Sequence, residues 1–151
     1  MREPLFIAHR GNTQGAEPDF ENDIDYLYAA LERGYGVEVD VREYNGKLYF
    51  GHDEPQSEID WNILLNARSF VHLKNQKAVE MLFDRRTDIN LFWHDDDKMT
   101  FTTKGNIWCY PDVKIVHPMA IWLELGGATY DTIPKSIYGI CADDIKEWSL
   151  S

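Results

Sequence analysis

Two acidic residues in one strand-like segment give the first sign of chemistry in this sequence. Glu38 and Asp40 lie two apart in the segment 36–41, where apolar and acidic residues alternate at the period of a β-strand. Their carboxylates are therefore expected on one face of the strand. Like charges so close repel each other unless a cation lies between them, and a hard divalent ion with oxygen ligands meets that need. The alternative is an edge strand whose solvent face happens to be acidic.

Basic and imidazole side chains stand at the ends of two other predicted strands. His9 and Arg10 directly follow the first apolar run of the chain, and His72 and Lys74 lie two apart at the end of a strand predicted over 70–73. In a parallel barrel, the carboxyl ends of successive strands meet at one rim, where active sites are found. We therefore expect these four side chains beside the two carboxylates.

The elements that must position these residues alternate between strand and helix. A helix is predicted from residue 18 or 19 to Gly34, because apolar residues recur at helical spacing and a glycine suits the position after the last turn. Asn45-Gly46 predicts a two-residue hairpin turn. The other predicted elements are a helix at 77–86 and strands at 5–8, 36–41, 47–50, 70–73, 90–93, 106–108, 113–116 and 137–140.

The order of these elements is typical of α/β architecture with a parallel sheet. The length of 151 residues suits one domain over residues 1–151. An ordinary (β/α)8 barrel needs about 200 residues or more. If the sheet forms a barrel, it must be a pared-down one, with several helices shortened or missing.

Charge and composition narrow the range of partners. The net charge is −11, from 26 acidic and 15 basic residues, and this argues against binding to nucleic acid or to anionic lipid. A small anionic substrate is still compatible where a metal ion, arginine and lysine create a local positive site. Two cysteines, Cys109 and Cys141, are too few for a disulfide framework. No segment is long and apolar enough to span a bilayer, so a cytoplasmic location is expected.

His52 raises a question of direction. With a hairpin turn at 45–46, strict pairing sets Asp40 opposite Gly51, and the next residue, His52, then points away from the acidic face. A bulge at Gly51, or a strand that ends before His52, would turn the side chain back. We expect one of these two departures from regular pairing.

Four short motifs in residues 7–53 resemble those of the glycerophosphodiester phosphodiesterase family, which has a (β/α)8-type fold. The family pattern is His-Arg-Gly after the first strand, Pro-Glu-Asn-Thr at a helix start, Glu-x-Asp in the second strand and His-Asp after a short hairpin. The corresponding residues here are His9-Arg10-Gly11, Phe20-Glu21-Asn22-Asp23, Glu38-Val39-Asp40 and His52-Asp53. Weaker similarity continues at 71–74, 107–108 and 139–143. The resemblance implies a pared-down TIM-type barrel of the phospholipase C-like phosphodiesterase kind.

The resemblance also implies a reaction, the metal-dependent hydrolysis of a glycerophosphodiester or a similar small phosphodiester. His9 and His52 would act as general acid and base, a task that suits imidazoles because their pKa lies near neutrality. Arg10 and Lys74 would hold the phosphate oxygens. Trp108 matches a tryptophan in a late strand of the family, and it would either stack on the alcohol part of the substrate or pack in the core.

The metal site implied by the resemblance contains one departure from the family. Glu38 and Asp40 would bind the divalent ion, Mg²⁺, Ca²⁺ or Mn²⁺. The family has a glutamate as third ligand, and His72 stands in its place here. Imidazole is neutral and softer than carboxylate, so this exchange disfavours Ca²⁺ and favours ions such as Mn²⁺ or Zn²⁺.

Three other interpretations remain open at this stage. A glycoside hydrolase would use Glu38 and Asp40 as its acid and base, but it leaves the histidines and the cations unexplained. A catalytically degenerate barrel would bind phosphorylated ligands without cleaving them, and the changed third ligand and the short chain favour it somewhat. The run His94-Asp95-Asp96-Asp97 could be a second metal site, but a solvated acidic loop is the favoured interpretation, because consecutive residues rarely point at one ion.

Overall fold

The computed structural model describes residues 3–126 and 133–150, and within them lie ten strands and four α-helices. The strands are β1 (Leu5–His9), β2 (Gly36–Tyr44), β3 (Lys47–Phe50), β4 (Ser57–Glu58), β5 (Ser69–Leu73), β6 (Leu91–Trp93), β7 (Met99–Phe101), β8 (Ile107–Cys109), β9 (Ala120–Glu124) and β10 (Gly139–Ala142). The helices are α1 (Ile24–Glu32), α2 (Trp61–Leu64), α3 (Gln76–Leu82) and α4 (Ile145–Trp148), and a 3₁₀ turn at Phe83–Arg85 follows α3. None of these helices is long and apolar enough to cross a membrane.

Parallel strands form the body of the sheet, in the order β6-β5-β2-β1-β10-β9-β8. The first strand of the chain therefore lies beside the last. Strands β3 and β7 are antiparallel additions that pair with β2 and β8. The sheet is not closed, because no strand pairing joins β6 to β8 in the described residues. Hydrogen bonds that belong to no strand pairing connect the two ends, from Thr103 N to the Leu91 carbonyl (2.8 Å) and from Asn90 Nδ2 to Asn106 Oδ1 (3.0 Å).

The side chains of the sheet separate into two hydrophobic layers. The inner layer draws on strands from both edges of the sheet and includes Ile7, Phe70, Phe92, Trp108, Ile121, Leu123 and Cys141. Rings from β6 and β8, at the two ends of the parallel series, meet there, with the Phe92 and Trp108 centroids 4.5 Å apart. The outer layer contains the valines of β2 and the buried faces of α1, α3 and α4. Alternation along β2 therefore sends its valines outward and its two carboxylates to the inner side.

The first half of the chain follows the predicted elements closely. The hairpin turn is confirmed, with Asn45 and Gly46 both at positive φ (50° and 83°) between β2 and β3. The end of α1 is also confirmed, since Gly34 follows it at φ 91°. The predicted start of this helix at residue 18 or 19 is wrong. The helix begins at Ile24, and its N-cap is Asp23, whose side chain accepts from Asp25 N at 3.0 Å.

The second half departs further from the prediction. The strand expected at 113–116 does not form, because this segment turns back from Tyr110 and offers the Ile115 carbonyl to Trp122 Nε1 at 2.9 Å. Val113 and Ile115 pack against the core instead of joining the sheet. The strand expected at 137–140 lies two residues later, at Gly139–Ala142. Strands β4, β7 and β9 were not predicted, and the helix expected at 77–86 ends in a 3₁₀ turn.

The question of His52 is resolved by the early end of β3. The last residue of that strand is Phe50, paired with Val41, and Gly51 leaves the ladder at φ 154° after donating its N–H to the Asp40 carbonyl (3.0 Å). A Cβ atom at Gly51 would lie 2.0 Å from the Glu54 carbonyl oxygen. Only glycine therefore fits this turn, which returns His52 to the side of the sheet that bears the carboxylates.

We expect Gly51→Ala to lower the free energy of unfolding more than a matched glycine exchange does. Gly105 also has positive φ (91°), but nothing lies within 4 Å of a Cβ atom there, so Gly105→Ala should cost only about 1 kcal/mol for the backbone conformation. The clash at Gly51 should add about 1–3 kcal/mol. Urea unfolding of both variants measures the difference, and equal losses would show that the turn relaxes without cost.

Candidate active site

Strand register brings the predicted residues together. In β2, Glu38 pairs with His9 of β1 and Asp40 pairs with His72 of β5. Residues in register on adjacent strands point to the same face, so each carboxylate has a histidine beside it. Glu38 and Asp40 are 2% and 0% exposed. Because β2 is a central strand and its carboxylates are buried, the alternative of a solvated acidic edge strand is wrong.

Glu38, Asp40 and His72 form a cluster of the size of a metal site. Nδ1 of His72 lies 3.7 Å from Glu38 Oε2 and 3.5 Å from Asp40 Oδ1. One potential ligand atom from each residue lies within 4.8 Å of the other two. Bonds of about 2.0–2.5 Å from an ion to each donor span such separations. In addition, Asp40 Oδ1 is buried without a hydrogen-bond partner, so this oxygen is available as a ligand for a cation.

The contact of His72 Nε2 shows on which nitrogen the ring carries its lone pair. Nε2 lies 3.3 Å from the backbone carbonyl oxygen of His94, and since a carbonyl only accepts, Nε2 must carry a hydrogen. In neutral imidazole the lone pair is then on Nδ1, directed at two carboxylates. That arrangement is stable only if a cation binds between them or if the ring takes a second proton. A carbonyl that fixes the tautomer in this way is typical of histidine metal ligands.

Burial opposes ionisation of both carboxyl groups, yet their pKa values shift in opposite directions. For Glu38, the hydrogen bond to His72 and the charge on His9 outweigh burial and lower the pKa to about 2. For Asp40, burial and the charge of Glu38 together raise the pKa above its ordinary value, despite Arg10 nearby. One carboxyl group of the pair therefore ionises readily, and ionisation of the second is unfavourable. A divalent ion bound between them would make the second ionisation more favourable.

Arg10 lies against carboxylates on several sides. Its backbone, at φ 55°, directs N–H to Glu38 Oε1 at 3.2 Å. Its guanidinium forms an ion pair with Asp40 (Nε to Oδ2, 3.2 Å) and donates from Nη1 to Glu21 Oε1 at 3.1 Å. Burial alone would lower the pKa of Arg10, but the charges of Asp40 and Glu38 outweigh it and raise the pKa. Arg10 is therefore a permanent cation in a fixed orientation.

A carboxylate lies beside each nitrogen of His9. Nδ1 lies 2.8 Å from Asp143 Oδ1, and Nε2 lies 3.8 Å from Glu38 Oε1. Burial favours the neutral ring, but the hydrogen bond to Asp143 and the charge of Glu38 outweigh it and raise the pKa of His9 above the usual value. Since a carboxylate only accepts, Nδ1 carries a hydrogen and Nε2 is the nitrogen free to exchange a proton.

A cavity of about 160 Å³ joins these groups. Its lining includes His9, Arg10, Glu38, His52, His72, Lys74, His94, Trp108, Tyr110, Leu123 and Leu125. The predicted site residues other than Asp40 thus line one cavity, and Asp40 is buried against two of them, Arg10 and His72. Lys74 follows β5, where its N–H bonds to the Val41 carbonyl at 2.9 Å. His52 is the most open of the histidines that line this cavity, with its side chain 35% exposed and Nδ1 2.8 Å from Asp53 Oδ1.

Trp108 lies in the hydrophobic core and also borders the cavity. It is 2% exposed and stacks on Phe92, and its ring centroid also lies 5.9 Å from that of Phe70. These contacts make it a core residue, and it also borders the cavity. Stacking of Trp108 on a substrate stays a prediction.

Several residues of the site were not singled out from the sequence. The prediction of a solvated loop holds for Asp95, Asp96 and Asp97, which are exposed, but it is wrong for His94, which is 6% exposed and borders the cavity. His94 follows β6 directly, as His9 ends β1, and that position was the available signal. Asp143 ends a motif that resembles the family, but its contact with His9 spans 134 residues and has no local signal.

Comparison of the chain with models of protein families, with curated proteins and with solved structures found no match. The geometry of the site is therefore the basis for a functional proposal.

We expect one divalent ion to bind at Glu38 and Asp40. Glu38→Gln and Asp40→Asn should each weaken Mn²⁺ binding by at least about 10-fold, because each removes a ligand charge from a buried site. Titration calorimetry or Mn²⁺ electron paramagnetic resonance measures the affinity. Asp96→Asn is the matched control, since Asp96 is exposed and should leave the affinity unchanged. Equal affinities for all four proteins would place the ion elsewhere.

We also expect the third ligand to set the preference among metals. His72→Glu supplies an oxygen donor and one more negative charge, so binding of Ca²⁺ and Mg²⁺ should strengthen relative to Mn²⁺. Affinities of the wild type and the variant for the three ions, measured side by side, test this. If the ranking is the same in both proteins, the imidazole of His72 does not bind the ion directly.

Proposed function

We propose that this protein is a metal-dependent phosphodiesterase that hydrolyses a small phosphodiester, such as a glycerophosphodiester. The observation that supports this most is the meeting of two opposite kinds of group at one cavity. Buried Glu38 and Asp40, with His72 facing both, suit a cation. Arg10 and Lys74 at the same cavity suit an anion. Metal-assisted cleavage at phosphorus needs both kinds of group.

Glu38, Asp40 and His72 would hold the divalent ion, for which Mg²⁺, Mn²⁺ and Ca²⁺ are the candidates. When bound, such an ion polarises a non-bridging phosphate oxygen and offsets the charge that develops during the reaction. The donor set fits this role because it offers two carboxylates, a histidine of defined tautomer and an oxygen without another partner.

Arg10 and Lys74 would bind the phosphate group against the overall charge of −11. Phosphate oxygens accept charge-assisted hydrogen bonds from guanidinium and ammonium groups. Arg10 is already oriented by Glu21 and Asp40, so little conformational freedom remains to be lost when the substrate binds. A local pair of cations within an acidic protein also favours a small substrate over an extended polyanion.

His9 and His52 would transfer the protons of the reaction. Water adds to phosphorus and loses a proton to one imidazole, while the bond from phosphorus to the leaving alcohol breaks and its oxygen takes a proton from the other. The products are a phosphomonoester and an alcohol. In both residues Nδ1 contacts an aspartate, Asp143 or Asp53, which leaves Nε2 for proton transfer.

We further propose that the curved sheet is a pared-down (β/α)8-type barrel. The parallel strands follow the order of the chain around the sheet, and the first lies beside the last, as in a barrel. The gap lies between β6 and β8, where hydrogen bonds and stacked rings connect the edges. A cytoplasmic location and the absence of nucleic-acid partners also stay proposals, based on charge and composition.

A second candidate is a protein of the same fold that binds phosphorylated ligands without cleaving them. It is favoured by His72, which replaces a charged ligand, and by the exposed position of His52. The glycosidase alternative has less support, because Asp40 is fully buried and does not line the cavity, and both carboxylates belong to one buried cluster.

We expect the purified protein to release p-nitrophenol from bis(p-nitrophenyl) phosphate with Mn²⁺ or Mg²⁺, and excess EDTA to abolish this release. His9→Ala and His52→Ala should each lower kcat by roughly 10²-fold or more, the usual contribution of a positioned acid or base. His117→Ala is the control, because His117 is exposed and lies outside the cavity lining. Full activity in EDTA would contradict the metal requirement. Binding of the diester without turnover would favour the second candidate.

A further inference from the structure

A buried asparagine outside the predicted site contacts four groups at once. Asn12 is 0% exposed. Its Nδ2 donates to Glu21 Oε2 at 3.0 Å and to Asp143 Oδ1 at 2.9 Å. Its Oδ1 accepts from the backbone N–H of Glu17 at 3.1 Å and from the Tyr26 hydroxyl at 3.0 Å. Carboxylates only accept and a backbone N–H only donates, so these partners define the orientation of the amide.

Each carboxylate that Asn12 contacts holds a different residue of the proposed active site. Asp143 Oδ1 also accepts from His9 Nδ1 at 2.8 Å. Glu21 also accepts, through Oε1, from Arg10 Nη1 at 3.1 Å. A continuous series of hydrogen bonds thus leads from His9 through Asp143, Asn12 and Glu21 to Arg10.

We propose that Asn12 is a positioning residue, which fixes His9 and Arg10 relative to each other through Asp143 and Glu21. This inference rests on the proposed function and names a residue that sets the positions of two of its functional groups. One amide group supplies an N–H to both carboxylates, so neither can move without disturbing the other. The phosphate held by Arg10 is thereby kept in register with Nε2 of His9.

A neutral donor is what this position requires. Glu21 and Asp143 are both carboxylates, and they also accept from Arg10 and from the His9 ring. An amide lowers the free energy of both without adding charge, since hydrogen bonds to charged acceptors are among the stronger ones in proteins. A carboxylate at position 12 would keep the size and the accepting oxygen, but it would remove both donors and add a third negative charge.

Asn12→Asp therefore tests the inference with little change in volume. The matched control is Asn90→Asp, because Asn90 is also buried (5% exposed) and also donates from Nδ2, to Asn106, and it precedes β6, away from β1. We expect Asn12→Asp to lower kcat for bis(p-nitrophenyl) phosphate by about 10- to 100-fold and to raise KM several-fold, at saturating Mn²⁺. Asn90→Asp should leave both constants within about 2-fold.

Mn²⁺ affinity separates positioning from general damage. Asn12→Asp should bind Mn²⁺ within about 3-fold of the wild type, because Asn12 touches none of the proposed ligands and the geometric disturbance is confined to His9 and Arg10. Unchanged kcat and KM in Asn12→Asp would overturn the inference, as would equal losses in the two asparagine variants. If Asn12→Asp does not fold, Tyr26→Phe removes one bond to the amide, and an unchanged kcat in that variant would overturn it equally.

A readout without turnover distinguishes failure of this inference from failure of the proposed function. Nitrogen-15 spectra of the His9 ring should show a single tautomer with hydrogen on Nδ1 in the wild type and mixed tautomers in Asn12→Asp. This result would support positioning by Asn12 even if the wild type proved to be inactive as a diesterase. A single unchanged tautomer in Asn12→Asp would overturn it.

Discussion

The need to bury two like charges side by side shapes the structure around β2. An uncompensated buried ion costs several kcal/mol, and here Glu38 and Asp40 lie together with almost no exposure. Compensation comes from the guanidinium of Arg10, from the ring of His72 and from the amide of Asn22, which donates to Asp40 Oδ2 at 3.0 Å. Even so, Oδ1 of Asp40 is left without a hydrogen-bond partner, and that deficit is the strongest physical argument for a bound cation.

Two of the residues that compensate these buried charges have an unfavourable backbone conformation. Arg10 and Asn22 both adopt positive φ, 55° and 65°, a region that non-glycine residues seldom occupy. Such strain persists where surrounding contacts require it, and it clusters at functional sites. Asn22 also accepts from Asp40 N at 2.9 Å, so its side chain is committed to β2. The residues before Ile24 are therefore unavailable for the first turn of α1, and the helix starts later than its sequence pattern predicts.

What the sequence could predict depended on the range of the interactions involved. The hairpin after β2 and the end of α1 followed from local turn chemistry, and the meeting of Glu38, Asp40 and His72 followed from strand alternation in a parallel sheet. The roles of Asn12 and Asp143 depend on contacts across more than a hundred residues, for which one sequence contains no signal. Strand β9 and the irregular segment 113–116 are both apolar, and only packing decides which of them pairs.

The pairing of β1 with β10 has a consequence for the order in which this protein folds. The contact between His9 and Asp143 closes a loop of 134 residues, and the entropy of such closure delays the contact relative to the hairpin and helices of the first half. During synthesis, the residues proposed to bind metal and phosphate emerge long before the strand that completes the sheet beside them. We therefore expect the half that contains Glu38, Asp40 and His72 to assemble first and His9 to reach its final orientation last.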